Sequence, residues 1–364
     1  MTPRAVALDL LGAILDRRQP LEGAFGAHPA LRGDALESRD RAFVRLLVAT
    51  TLRRLGQIDA ALEACLDRDL TPRARSIRNL LRLGACQLLF LSTPPHAAVA
   101  ETVALATRRI ASYRSLANAV LRRLARQGMA ICAAQDECRV NLPDWLWRSW
   151  VAAYGEATTR AIAAQLLVEP PLDLSPKRDG ESWARRLDAD LLPTGSLRLS
   201  GSRAIADLPG YAEGAWWVQD AAAALPVRLL GEVAGRVVVD LCAAPGGKTA
   251  QLCAAGAKIT AVDRSHSRIA VVRDNLERLR LSADLIVADA RAWRPPAAVE
   301  HVLLDAPCTS TGTARRHPDI LRIKRHDDVG RCVALQDRLL DAARSMLAPG
   351  GTLVYFTCSL EPEE

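Results

Sequence analysis

Apolar positions recur at helical spacing through the first third of the chain. Leu8, Leu11 and Leu15 share one face, with Leu10 and Ile14 beside them. Ser38 is placed as the cap of a helix carrying Phe43, Leu46 and Leu47. Ile77, Leu80, Leu81, Leu88 and Leu89 stripe a third helix. Pro94-Pro95 is expected to stop it, because the ring removes a donor and restricts the residue before it. Two arginine-bearing stretches follow. One holds Arg108, Arg109 and Arg114; the next, Asn118-Ala-Val-Leu121-Arg122-Arg123-Leu124, brings Arg122, Arg123 and Arg126 close together. Residues 3 to about 128 therefore read as all helix, and 129–140 as a linker.

Residues 141–215 are mixed. A Trp-rich helix (Trp145, Trp147, Trp150, Tyr154) precedes Pro170-Pro171 and short apolar runs. Such tryptophans can stack on bases, but packing is the expected role, since tryptophan is mostly apolar area. From about 216 the pattern changes to continuous apolar strands alternating with helices. The strands are 237–241, 258–263, 285–287, 301–305 and 352–356, with helices over 266–280 and 331–347, a long loop to about 328 and a Pro349-Gly350-Gly351 turn. That alternation predicts a parallel sheet covered on both faces. Ligands of such sheets bind at the carboxyl ends of the strands.

Composition adds direction. The chain has 364 residues and a net charge of +7, with 49% hydrophobic and 24% charged residues, which excludes disorder, collagen and a disulfide scaffold. Residues 1–140 hold 21 Arg, no Lys and 13 acidic residues, or +8, so the rest of the chain carries −1. A basic region joined to a near-neutral body points to a polyanion partner. The 9 cysteines form no C-x-x-C pair, so neither zinc nor a disulfide framework is expected. No apolar run reaches the roughly 18 residues of a membrane span, and the start does not read as a signal peptide. A cytoplasmic protein with reduced thiols and no metal or membrane partner is the expectation.

The chemistry gathers at strand ends. Asp240, Asp263, Asp289 and Asp305 lie at or just past the ends of four successive strands, and Cys308 and Cys358 follow the fourth and fifth. All six are expected along one rim. Capping accounts for a single such Asp, not for the series. The first turn is Asp240-Leu-Cys242-Ala243-Ala244-Pro245-Gly246-Gly247-Lys248-Thr249. Its glycines let backbone approach a ligand, and the following helix start offers N–H donors. The P-loop pattern requires glycine where Cys242 stands, and Gly-x-Gly-x-x-Gly is absent. An NTPase and a dinucleotide enzyme are therefore excluded. Asp263 lies 23 residues after Asp240, near the spacing of the acid that takes ribose hydroxyls. A nucleoside ligand without a pyrophosphate clamp fits, and S-adenosyl-L-methionine is the natural candidate.

Two cysteines, an acid and a methyl donor are what cytosine-C5 methylation needs. A thiolate adding to C6 makes C5 electron-rich enough to take a methyl group. A carboxyl group near N3 stabilises the charge on the ring, and a base removes the C5 proton so that the thiol can leave. A thiol with a pKa near 8.5 is only about 3% thiolate at neutral pH, so local activation is expected. For either cysteine alone a buried small hydrophobe is the plainer role. The residues do not decide which of Cys308 and Cys358 attacks.

Asp240–Thr249, Asp305-Ala-Pro-Cys308-Thr-Ser-Thr-Gly312, Arg315-Arg316-His317-Pro318-Asp319-Ile320 and Thr357-Cys358-Ser-Leu-Glu-Pro-Glu-Glu364 resemble the Nop/Sun family of RNA cytosine-C5 methyltransferases. Leu83-Gly-Ala-Cys-Gln87, Pro94-Pro95-His96-Ala97-Ala98, Asn118-Ala-Val-Leu-Arg122-Arg123 and Gln219-Asp220 are similar to its bacterial ribosomal branch, which carries a NusB-like N-terminal domain. The resemblance covers nearly the whole chain and is weakest over 141–210. It implies a multidomain protein: an all-α NusB-like RNA-binding domain (1–138), a mixed α/β connector (139–215) and a doubly wound, Rossmann-like class I methyltransferase domain (216–364). It implies a monomer acting on small-subunit (16S) ribosomal RNA.

The resemblance also implies roles. Residues Cys242 to Lys248 hold the methionine part of the donor, Asp263 its ribose, and Asp289 sits by its adenine. Arg268 joins the donor-binding set, and Asp305 is shared between the donor and the cytosine edge. Cys358 is the nucleophile and Cys308 assists elimination. Arg108, Arg109, Arg122, Arg123, Arg126 and Arg316 are the expected RNA contacts. Two departures stand out. Asp173-Leu174-Ser175 replaces an Arg-x-Asn pattern, which puts substrate contacts there in question. The chain also stops at Glu364 where the family continues, so a fragment of a longer polypeptide is expected. The alternatives are a methyltransferase acting on tRNA or another RNA, and a non-catalytic RNA-binding or assembly protein.

Overall fold

The computed structural model describes residues 1–364 apart from 34, 72, 73, 202 and 203. It falls into two compact units. One comprises Met1–Glu169 with Thr309–Asp328 and Leu360–Pro362; the other comprises Pro170–Cys308, Val329–Ser359 and Glu363–Glu364.

The first unit is helical. Its core joins Leu10, Leu11, Ile14, Leu47, Leu52, Ile58, Leu80 and Leu81, each 0–1% exposed. These residues recur three and four apart, so each helix turns one apolar stripe inward. Gly56 sits where a Cβ would lie 1.7 Å from the Val140 carbonyl oxygen, so only glycine allows that backbone approach. Buried polar groups tie in the distant segments. The Leu21 N–H donates to Asp319 (2.9 Å), Arg53 donates to the Arg315 carbonyl (3.0 Å), and Trp150 Nε1 donates to Glu361 (2.8 Å). Trp150 is 0% exposed in a cluster with Leu146, Ile320 and Leu321, which is the packing role expected of it.

Several local expectations are corrected. Ser38 does not cap; it is the first residue of the helix Ser38–Arg53, and Glu37 holds the extended cap position. Asp40 in the first turn supplies the favourable charge at that helix start instead. Pro95 opens the helix Pro95–Arg109, the first-turn position where a missing N–H costs nothing. The preceding helix has already ended at Leu89. The expected linker 129–140 is mostly helical, because Arg114–Ala133 runs on and Glu137–Asn141 follows; only 134–136 break it. The Trp-rich helix Asp144–Leu166 is interrupted at Gly155, whose φ of 78° is left-handed.

The second unit holds two sheets. β1 (Leu172–Pro176), β2 (Ala189–Leu191), β3 (Leu197–Leu199) and β4 (Trp216–Val218) form an antiparallel sheet in the order β2-β3-β1-β4. Asp173 is not at a surface there. Its carboxylate is 1% exposed and accepts from Arg198 (2.8 and 2.9 Å) and from the Ala221 N–H (3.1 Å). Ser175 donates to Gln219 (2.7 Å). The variant tripeptide thus braces this sheet.

β5 (Val237–Leu241), β6 (Lys258–Asp263), β7 (Asp284–Val287), β8 (Val299–Asp305) and β9 (Leu347–Phe356) form a parallel sheet in the order β7-β6-β5-β8-β9. The order reverses beside β5, the switch point at which such sheets bind ligands. Val238, Val239, Val262, Leu303 and Leu304 are each 0% exposed, as a sheet buried on both faces requires. β9 begins earlier than expected. It runs through Pro349-Gly350-Gly351, and a register irregularity lies opposite, between Val299 and His301. The supposed loop to 328 contains the helix Ile320–Ile323, and the last helix starts at His326. Among the described residues no helix is long and apolar enough to cross a membrane.

Candidate active site

Parallel strands deliver their carboxyl ends to one rim, so β5, β6 and β8 bring Asp240, Asp263 and Asp305 to the same side, with Asp289 two residues past β7. Asp240 is 1% exposed, and Thr249 donates to one of its oxygens (2.6 Å). Its other oxygen is buried without a partner. Burial pushes its pKa up to about 7.

The turn after β5 is built on strained backbone. Cys242 has φ 59°, a left-handed conformation that costs a side-chain-bearing residue about 1–2 kcal/mol. Gly246 has φ 98°, and a Cβ there would lie 3.0 Å from Val272, so glycine is required twice over. Burial, reinforced by Asp263, pushes the Cys242 thiol up to about 12, which keeps it protonated. Ala243 and Ala244 are buried, Pro245 is exposed, and Gly247 starts the helix Gly247–Ala254 that carries Lys248.

Asp263, 3% exposed, is held by the N–H groups of Ser265 (3.1 Å) and Ala244 (3.3 Å). Arg268 lies 3.5 Å from it and donates to the Ala244 carbonyl (2.5 Å), so the arginine locks this turn to β6. Asp289 is exposed and bound by Arg291, which holds its carboxyl down at about 2. A cleft with about 540 Å³ of empty space opens here. Cys242, Asp263, Arg268 and Asp289 line it with Arg264, Arg291, Pro307, Leu335 and Leu339. Of these last five, Pro307 belongs to the Asp305–Gly312 motif, and the other four carry no role in the sequence reading. Arg291 carried a signal, two residues past a strand-end Asp. Leu335 and Leu339 share a helix face, but no pattern tells which face meets a ligand.

Past β8, Lys248 Nζ lies 2.7 Å from Asp305 and stands over the Phe356 ring, 4.8 Å from its centre. Cys308 and Cys358 come together with their sulfurs 3.4 Å apart. Cys308 is buried and Cys358 exposed. Gln336 braces the loop by donating to the Pro307 carbonyl (3.0 Å) and accepting from the Tyr355 hydroxyl (3.2 Å). The carboxylates, the thiol pair and the Cys242–Lys248 turn, separate in sequence, thus sit on one rim.

The expected RNA arginines are distributed differently, on the helical unit. Arg109 pairs with Asp9 (3.1 Å), Arg123 with Asp67 (2.9 Å), and Arg122 donates to Asn118 (3.1 Å). Arg108 and Arg126 are exposed, and Arg316 is half-buried.

A doubly wound parallel sheet with carboxylates gathered at its switch point is the architecture of an α/β enzyme of the methyltransferase class. Residues 227–364 match the family model described as 16S rRNA methyltransferase RsmB/F, and residues 1–126 match the NusB family. Ribosomal RNA small subunit methyltransferase B of Cronobacter sakazakii is 35% identical, over 99% of this chain and 87% of that protein. The Klebsiella pneumoniae protein of the same name is 36% identical over the same shares. The crystal structure of PH0851 covers 100% of this chain and 87% of its own, with a TM-score of 0.74 and 22% identity, a likeness of fold. The chain belongs to the family of ribosomal RNA small subunit methyltransferase B, whose members are S-adenosylmethionine-dependent RNA methyltransferases.

Proposed function

We propose that this chain transfers a methyl group from S-adenosyl-L-methionine to C5 of a cytosine in small-subunit ribosomal RNA, through a covalent bond between Cys358 and C6 of the base. The observation that carries this reading is the pair of thiols 3.4 Å apart, following two adjacent strands whose rim also carries Asp305.

The residues of the cleft fit the donor. Asp263 keeps acceptor capacity beyond its two N–H bonds, as vicinal ribose hydroxyls require. Leu335 and Leu339 offer an apolar wall for a purine, and Asp289 an acceptor at its edge. Cys242 carries the turn after β5 to the edge of the cleft, where an amino-acid moiety would lie. When bound, S-adenosylmethionine supplies an electrophilic methyl group.

The chain's own residues then act in sequence. The Cys358 thiolate adds to C6 and pushes electrons into the ring. The Asp305 carboxyl group at the N3 edge stabilises the charge that develops on the ring, and Lys248 orients Asp305. After the methyl group bonds to C5, a thiolate at Cys308 removes the C5 proton. The C5–C6 double bond reforms, and the C6–S bond breaks to return the Cys358 thiolate. The exposure of Cys358 suits attack on a large substrate whose base has left its stack.

The test is methyl transfer from labelled donor to unmodified small-subunit rRNA, mapped by bisulfite sequencing. One methylated cytosine is expected. A methyl group on a base nitrogen or a ribose oxygen would exclude the mechanism.

A further inference from the structure

The helical unit carries a charge arrangement that none of the expected RNA contacts includes. Arg75, Arg78 and Arg82 stand three and four residues apart on the helix Arg75–Leu89, so they form one stripe. With Asp16, Asn79 and Arg322 they line a cleft with about 850 Å³ of empty space. Arg82 is committed to Asp59 through two bonds of 2.6 and 2.7 Å. Arg78 donates to the Leu70 carbonyl (2.9 Å), and Asp16 accepts from Asn79 (3.1 Å). Arg75 is exposed and has no ion pair among the described residues.

Arg322 is the informative member. Its guanidinium donates to the carbonyls of Asn141 (2.9 Å) and Leu52 (3.3 Å), and no carboxylate lies within ion-pair distance among the described residues. Burial depresses its pKa to about 10. Two carbonyls take two of its five hydrogens but leave its charge uncompensated, which is costly in a partly dry site. Among the described residues, the four guanidinium groups of the cleft are set against one acid that lines it, Asp16, and against Asp59, which binds Arg82. An anion is the complement this cleft lacks.

We propose that the cleft holds backbone phosphates of the RNA substrate, an inference that rests on the reading of the chain as an rRNA methyltransferase. The stripe spans about 10 Å of helix at 1.5 Å per residue, a row suited to a strand of phosphates rather than one small anion. Arginine forks match phosphate oxygens in pairs. Arg109 and Arg123, by contrast, already spend their charge on Asp9 and Asp67.

The test is RNA binding by the full chain across salt concentrations, with unmodified small-subunit rRNA as the probe. Arg75→Ala/Arg78→Ala is expected to weaken binding about tenfold or more and to flatten the plot of log affinity against log salt by about 1.4–1.8, the counterions of two phosphates. Arg75→Lys/Arg78→Lys is expected to keep the slope. A denaturant unfolding midpoint equal to that of wild type reports an intact fold. A double alanine variant that matches wild type in affinity and slope overturns the proposal. So does protection of Arg75 from phenylglyoxal by inorganic phosphate but not by RNA, which marks a small-anion site. A wild-type chain that neither binds nor methylates the rRNA overturns the substrate reading itself, and the cleft proposal with it.

Discussion

In the helical unit a half-buried cation, Arg322, donates to two carbonyls, and the buried Arg53 donates to a third. In the parallel-sheet unit the buried ions are carboxylates, Asp240 and Asp263, satisfied by a hydroxyl and by turn N–H groups. The backbone explains the difference. A parallel strand running into a turn and a helix presents N–H groups beyond its carboxyl end, which accept anions. Helix ends and interhelical segments expose carbonyls, which accept guanidinium hydrogens. The helical unit also buries two acids, Asp319 and Glu361, held by the Leu21 N–H and by Ser149 and Trp150. The sheet unit's acids suit hydroxyl- and amine-bearing small molecules, and the helical unit's arginines suit phosphate.

The comparison breaks most sharply at the thiols. Cys358→Ala is expected to cost on the order of 10⁴-fold or more in methyl transfer and to abolish covalent RNA adducts. Cys308→Ala is expected to let adducts accumulate on denaturing gels. The reverse pattern would exchange their roles. Next in size is Trp150→Ala. It removes a fully buried ring and its bond to Glu361, and is expected to cost about 3–5 kcal/mol in denaturant unfolding. Loss of donor affinity of the same size would contradict the placing of donor binding in the sheet unit alone.

Asp263→Asn tests the acid rim directly. Loss of a charged acceptor is expected to weaken donor binding by about 1.5–3 kcal/mol, measured by calorimetry. Asp240 gives a pH signature. Its folded pKa, raised from 3.8 to about 7, means the folded state holds the extra proton. Its stabilising contribution is present below about 3.8 and is lost as pH rises through about 7. Melting temperature is expected to fall over that window more in wild type than in Asp240→Asn, and equal slopes would remove Asp240 from the account. The smallest effect belongs to Arg123→Ala. Its exposed pair with Asp67 is worth less than about 1 kcal/mol, readable as a shift in the unfolding midpoint.

Much of the rim was legible because it is written in strand-end residues. Continuous apolar runs fixed the strands, and strand polarity sends every following residue to the same side. That is why Asp240, Asp263, Asp305, Cys308 and Cys358 could be grouped before any coordinate was known. The Arg75–Arg78–Arg82 stripe was just as visible in spacing. Spacing says nothing of what closes the opposite wall, here Leu321 and Arg322 from far along the chain. Ser38 and the 129–140 stretch failed for a local reason: cap and linker composition is a weak preference that packing of neighbouring apolar turns overrides.

By itself, the sequence determined the parallel sheet, the helical region before it, the carboxylate series and the candidate thiols, since each follows from local period and strand direction. Tertiary structure alone decided that Thr309–Asp328 and Leu360–Pro362 pack with the helices rather than with the sheet. It alone brought the two sulfurs to 3.4 Å and, among the described residues, left one Asp240 oxygen unpartnered and the half-buried Arg322 without a carboxylate. These are properties of distance and desolvation between residues far apart in the chain, which no local pattern of hydrophobic and polar positions encodes.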